Sequence, residues 1–514
     1  MATRSLWARL IGPWAIGIGF VNLVLAYTGV WPWQLALVFG GLAVAGLWRS
    51  PLARSVHVRY GLGSLFLFGG VVVPVLSGLR AAGGFWLLAA FLSEVAIALW
   101  IWQAVRDRFV PAEDYPAVLG SAGILGGRVM ISGDDRYLHL HVIGPTGSGK
   151  TASVLSPLIR QDLRRPVGLT VIDPKGDLAA AVAAEAASLD RAVYALGPGF
   201  PASFNPLAGE PSEVAEAMVE AVDKLFLTQD GFFRTLGRTL LRQAVLALKS
   251  VPGESAGLVD LQEFLSEEDR RRQVLVETTD PEVKAYFRRE YAQWTVKAQR
   301  EYTLGLRNAL QALSDHPEAR RMMSGEEALP LARILAEGEV LVVSLPVGQM
   351  GEAGRVFGAY LLARLQQAAL GRPAGPPHFL YVDEFQTFAT SSFAQFLDLA
   401  RQDRLGAVLA HQNLGQLPES LIQSVLANCR NRVLLGGVSG EDLSRLRDTL
   451  GAKMGVRVSE DASGQVKSRT LVMETKFRPE MVHQMPRGLA IAQVVFRGRL
   501  LDPRLIRLPT PRAS

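Results

Sequence analysis

The run GPTGSGKT at residues 144–151 fits the spacing G-x-x-x-x-G-K-[ST], and its residue types suit one task, holding the phosphates of a nucleotide. Gly144, Gly147 and Gly149 let backbone N–H groups turn inward with no Cβ in the way, while Pro145, Thr146, Ser148 and Ala152 complete the expected binding segment. Lys150 is expected to reach the β- and γ-phosphates of ATP, and Thr151 to offer its hydroxyl to Mg²⁺. A second run, HFLYVDEF from His378, ends an apolar stretch in two acids. Asp383 is expected to hold Mg²⁺ and Glu384 to polarise the attacking water, a pairing that favours hydrolysis over phosphoryl transfer. An N-cap or ion-pair role is the plainer alternative for Glu384. Gln412, just past the apolar run LGAVLAH, is placed to sense the γ-phosphate, with a simple strand-end turn as its alternative. Arg430 and Arg432 precede another apolar run, where one of them could serve as an arginine finger across a subunit boundary. Asp173 and Lys175, in VIDPKGDL, fall at a further strand exit, where a tight polar turn explains them equally well. His141 and His411 show no metal-ligand spacing with other His or Cys and are read as structural.

Residues of these kinds work at the ends of strands, and the chain supplies the strands. YLHLHVIG, VGLTVIDPKGDL, GEVLVVSLPVG, PHFLYVDEFQTF, LGAVLAHQNLGQL and NRVLLGGVSG each read as a short buried strand, with helical patterns between them such as 356–370 and 393–404. The expectation is an α/β fold with a parallel-rich central sheet covered on both faces. Residues 211–335 are rich in Glu, Arg, Leu and Ala at helical spacing and read as an inserted all-α subdomain. A weaker hairpin signal lies at 453–478 around DASGQ, and the tail DPRLIRLPTPRAS reads as an extended strap or a disordered end.

The N-terminal part is different in kind. Residues 10–31, 33–48, 62–79 and 84–102 are apolar runs that approach the roughly 20 residues a bilayer-crossing helix needs. Arginines before the first run, between the second and third, and after the fourth predict four spans with the rest of the chain on the cytoplasmic side. Glu94, inside the fourth run, is expected to serve helix packing or oligomer contacts rather than ion conduction. Residues 1–110 carry eight arginines against two acids, an excess equal to the net +6 of the whole chain. The remaining 46 bases and 46 acids cancel, so the basic balance reflects membrane topology and carries no argument for nucleic acid. The single cysteine, Cys429, excludes an internal disulfide. The expected domains are therefore a transmembrane region at 1–110, a nucleotide-binding domain at 111–210 and 336–514, and the helical insertion between them.

In order, the spans, GPTGSGKT, VIDPKGDL, FNPLAG at 204–209, the helical stretch, LYVDEFQTF and RLGAVLAHQNLGQL resemble the type IV coupling proteins, the TraG/TraD-type ATPases of conjugative DNA transfer. That resemblance implies a RecA-like P-loop motor with ATP and Mg²⁺, and a homo-hexamer at the cell inner membrane with its ATPase domain in the cytoplasm. It also implies single-stranded DNA as cargo, and relaxase or relaxosome and secretion-channel proteins as partners. Lys150, Thr151, Asp383, Glu384 and Gln412 match the family's motifs, and Arg430 is the better match for the trans-acting arginine. Two features depart from the family: four candidate spans exceed the usual two, and there is no long acidic C-terminal extension. Alternative readings are a double-stranded DNA pump of the chromosome-partitioning type, disfavoured because no winged-helix reader fits after Leu501, and a nucleotide-gated receptor or scaffold for secretion substrates. An exporter ATPase is disfavoured because no LSGGQ-like signature separates the two nucleotide motifs.

Overall fold

Runs of Val, Ile and Leu buried on both sides must lie inside a sheet that is covered on both faces. A computed structural model of the chain describes residues 115–123, 127–223, 231–253, 255–370, 372, 375–390, 392–460 and 466–510. The four expected spans and Glu94 lie outside these residues; among the described residues no helix is long and apolar enough to cross a membrane.

Two strands open the described chain, β1 (Ala117–Ala122) and β2 (Gly127–Ile131). Seven more follow: β3 (Leu140–Ile143), β4 (Gly168–Asp173), β5 (Val193–Leu196), β6 (Val340–Ser344), β7 (His378–Val382), β8 (Leu405–His411) and β9 (Asn431–Leu435). These seven pair in parallel in the order β5-β6-β4-β7-β8-β3-β9. A hairpin, β10 (Ala452–Glu460) and β11 (Val466–Thr475), stands apart from the sheet. After it come β12 (Leu489–Gln493), a two-residue ribbon of β13 (Val495–Phe496) with β14 (Arg499–Leu500), and β15 (Arg504–Arg507). Beyond β9 the sheet continues antiparallel through β12, β15, β1 and β2, to eleven strands in all among the described residues.

The six runs expected as strands are β3, β4, β6, β7, β8 and β9. The C-terminal tail corrects its expectation: residues 504–507 are neither a strap nor a disordered end but an inner strand of the sheet, pairing with β12 on one side and β1 on the other. Ile506 is fully buried there. Its partner strand β1 begins nearly 400 residues upstream, so nothing local in the tail marks it as a strand.

Alternate strand residues face opposite sides. Val142, Val171, Val342, Tyr381 and Ala410 share a core with the helices Ser156–Leu163 and Asp177–Ser188. Ile143, Ile172, Val343, Val382 and Leu409 belong to the other core, with the long helix Val347–Ala369. Between β5 and β6 the described chain contains helices and no strand, from Pro211–Asp223 to Leu331–Glu337. The apolar faces of those helices continue the second core without a break, through Val214, Met218, Leu241, Leu248, Leu261 and Leu310.

Candidate functional site

In a parallel sheet all strand C-termini open on one edge, and crossover order decides which loops meet there. Here β8 lies between β3 and β7. Residue 412, just after β8, therefore emerges between the glycine loop after β3 and the acids after β7.

The loop has the backbone its sequence requires. Gly147 and Gly149 take φ of +77° and +99°, a region that costs a residue with a Cβ. The first helical turn, Lys150–Leu155, is π-wound before the regular helix Ser156–Leu163. Lys150 is buried, and its Nζ donates to the carbonyl oxygens of Gly144 at 2.8 Å and Pro145 at 3.4 Å. The Thr151 hydroxyl donates to Asp383 Oδ2 at 2.6 Å. The Ser148 hydroxyl is buried without a hydrogen-bond partner. Its orphaned oxygen, the buried ammonium and the inward loop together fit a polyanion. Thr151 beside Asp383 fits Mg²⁺, which takes one or two protein ligands and otherwise binds water and phosphate.

Glu384 is held in the left-handed region, φ +45° and ψ +51°, a strained conformation for a residue with a side chain. Its backbone N–H donates to Asp383 Oδ1 at 3.0 Å, and its Oε2 accepts from Gln386 at 2.9 Å and Gln412 at 3.2 Å. Its Oε1 faces two ammonium groups, Lys150 at 3.6 Å and Lys175 at 3.8 Å. The neighbouring acids diverge in consequence. Burial raises the Asp383 carboxyl despite the Thr151 hydrogen bond. Burial also acts upward on Glu384, but the Gln386 hydrogen bond, Lys150 and Gln412 outweigh it, and its pKa ends below the ordinary value. Burial lowers the Lys150 ammonium, opposed by Glu384.

The structure thus brings Lys150, Thr151, Asp383, Glu384 and Gln412 together. It does not bring Arg430 to them: Arg430 is exposed at the start of β9, the opposite edge of the sheet. Arg432 is engaged internally, donating to the carbonyls of Cys429 and Leu426 and to the hydroxyl of Thr449. Asp173 accepts from the backbone N–H of Lys175 and Ala179, the tight-turn role. Sequence reasoning named Lys175 without a role and missed Gln386, whose only signal was its place two residues after Glu384.

His141 and His411 prove to be partners, Nε2 to Nε2 at 2.5 Å with stacked rings. The His411 Nδ1–H must donate to the Asn413 carbonyl, so its Nε2 accepts and His141 donates, which leaves His141 Nδ1 bare, as observed. Burial, with mutual repulsion on His141, holds His141 well below the usual value and His411 down to about 4. Burial also lowers His139 to about 4 and His378 to about 3. As pH falls below about 6.5 the unfolded chain takes up these protons first, so stability is full above that value and declines as the pH drops toward 4, by about 1.4 kcal/mol per unit for each group. A clear fall in Tm between pH 7.0 and 5.5, before carboxylates titrate, is expected in thermal melts; an unchanged Tm would refute it.

A family model described as "Type IV secretory system Conjugative DNA transfer" matches residues 105–299. Among solved structures, the bacterial conjugative coupling protein TrwB, lacking its N-terminal segment and unbound, is 19% identical with a TM-score of 0.57, covering 76% of this chain and 88% of that one. TrwB in complex with the non-hydrolysable ATP analogue ADPNP is 19% identical, TM-score 0.55, with 77% and 91% covered. TrwB in complex with ADP and Mg²⁺ is 18% identical, TM-score 0.56, with 77% and 95% covered. No curated protein matches the chain. The mixed, mostly parallel sheet with its helices is the RecA-like P-loop fold that these structures share. The family match spans the stretch that carries the glycine loop and VIDPKGDL, and the solved structures, each under 20% identical to the chain, show the shared fold.

Proposed function

We propose that this chain is an ATPase that couples Mg²⁺-dependent ATP hydrolysis to the passage of single-stranded DNA, alone or linked to protein, toward a secretion channel. The observation that carries the reading is the convergence of Lys150, the Thr151–Asp383 pair and the hydrogen-bonded Glu384 at one sheet edge. ATP bound here would supply the phosphoanhydride whose cleavage drives the work. Lys150 holds charge at the phosphates; Thr151 and Asp383 hold Mg²⁺; Glu384, ionised and aimed by Gln386 and Gln412, orients and takes a proton from water. Gln412, just past β8, donates to that base, so a change at the base reaches β8. Support for the nucleotide comes from the TrwB complexes, and for the cargo from the conjugative DNA-transfer family.

In this reading residues 1–110 anchor the chain in the cell inner membrane through about four spans. Residues 111–210 and 336–514 form the cytoplasmic motor, and 211–335 a helical insertion. Six copies form a ring in which Arg430, exposed and far from its own loop, faces the site of a neighbour. Relaxase or channel proteins are the partners.

The full chain in detergent is expected to hydrolyse ATP faster with single-stranded than with double-stranded or no DNA, and Lys150→Ala to match the protein-free blank. Turnover that DNA leaves unchanged, with partner docking governed by nucleotide, would replace the motor with a gated receptor.

A further inference from the structure

We propose that Arg487 is a nucleotide-contacting residue, supplied in cis to the phosphate chain held by residues 144–151; this rests on the ATP site proposed above. β12 runs antiparallel to β9 with Ala490 opposite Leu435. The turn before β12 therefore returns to the edge where β3 and β9 end, and it packs closely there. Gly437 N–H donates to the Val482 carbonyl at 3.3 Å, and a Cβ on Gly436 would fall 2.0 Å from the Met485 carbonyl oxygen. Gly437 in turn lies against the loop itself: a Cβ on it would stand 2.8 Å from Pro145 Cγ. Next along this turn, the Arg487 guanidinium reaches the loop, its Nη2 3.1 Å from where a Cβ on Gly147 would sit.

Among the described residues the Arg487 side chain has no hydrogen bond or ion pair, and it is exposed. Arg432, by contrast, is spent on three internal acceptors. An unpaired guanidinium at the lip of a loop built for phosphates is a cation placed for a polyanion, and its planar fork suits phosphate oxygens. It adds charge at Gly147, three residues before Lys150, so the phosphates meet cations from two segments of the chain. It also ties nucleotide occupancy to the antiparallel half of the sheet, through β12. The sequence offers no hint of this, because QMPRGL has no motif and lies 340 positions from Gly147.

The test uses the full chain in detergent, with wild type, Arg487→Ala, Arg487→Lys and Lys150→Ala, titrated with fluorescent analogues of ATP and ADP and melted with and without MgATP. Arg487→Ala is expected to weaken binding of the ATP analogue about tenfold, the loss of one charge-assisted hydrogen bond. Its nucleotide-induced rise in Tm should shrink while its nucleotide-free Tm stays that of wild type, and Arg487→Lys should recover part of both. Binding by Arg487→Ala within about twofold of wild type overturns the proposal, as does a lowered nucleotide-free Tm with binding unchanged. If wild type shows no saturable binding, or Lys150→Ala binds as wild type does, the ATP site itself fails and the role of Arg487 with it.

Discussion

Glu384→Gln is expected to bind ATP as tightly as wild type and to turn over about 10²–10⁴-fold more slowly, the usual worth of a positioned general base. The two properties separate because they belong to different atoms. In the proposed function binding rests on the loop amides, the Lys150 ammonium and the Thr151–Asp383 pair, and a neutral amide at residue 384 leaves each of these groups in place. Turnover requires a group that takes a proton, and the environment keeps Glu384 ready for it: two amides donate to Oε2 and two ammonium groups face Oε1. An amide of the same size fills the space but accepts no proton, and its NH₂ meets the donors of Gln386, Gln412 and the lysines. Equilibrium binding beside steady-state turnover checks this. Turnover within tenfold of wild type would remove Glu384 from the chemistry and leave it as an ion-pair partner.

Asp162→Ala is expected to cost about 3–5 kcal/mol of stability, the usual penalty for stranding a buried charge. Asp162 lies on the helix that follows the glycine loop, and it is almost wholly buried. Arg136 donates to both of its oxygens, at 2.8 and 2.5 Å, while its guanidinium covers the Phe379 ring. The Tyr381 hydroxyl, which burial and Asp162 hold well above its ordinary pKa, donates to Asp162 at 2.6 Å. Tyr381 is on β7, two residues before Asp383, so this cluster pins the loop helix to the strand that carries the acids. Removing the carboxylate leaves the buried guanidinium without its counter-charge. Denaturant unfolding measures the loss, and the double variant Arg136→Met with Asp162→Leu should recover much of it, since both charges then leave together. A single variant as stable as wild type would show that the cluster does not hold the helix.

These two sites differ in how readable they were. Glycine spacing and the lysine that follows are demands of a single turn, so residues 144–151 announce themselves in eight letters. The acids after FLYV are equally local, since a buried strand that ends in Asp-Glu places both at the sheet edge. The Arg136–Asp162–Tyr381 cluster leaves no such trace, because its members come from three elements, and each would pass alone as an ordinary surface or core residue. The same holds for His141 with His411, and for Lys175, which joins Glu384 from the turn after β4.

By itself, then, the sequence determined that a phosphate loop follows one strand and two acids another, and that the sheet between them is largely parallel. Only the tertiary structure decided that β8 lies between those strands, that the tail returns as β15, and that Gln386, Lys175 and Arg487 converge with Gln412 on the site. The reason is physical. Turn geometry and side-chain periodicity are written within a few residues, whereas strand order is set by backbone hydrogen bonds that are alike for every strand. Which strands become neighbours is settled by how the whole set of apolar faces is covered at once.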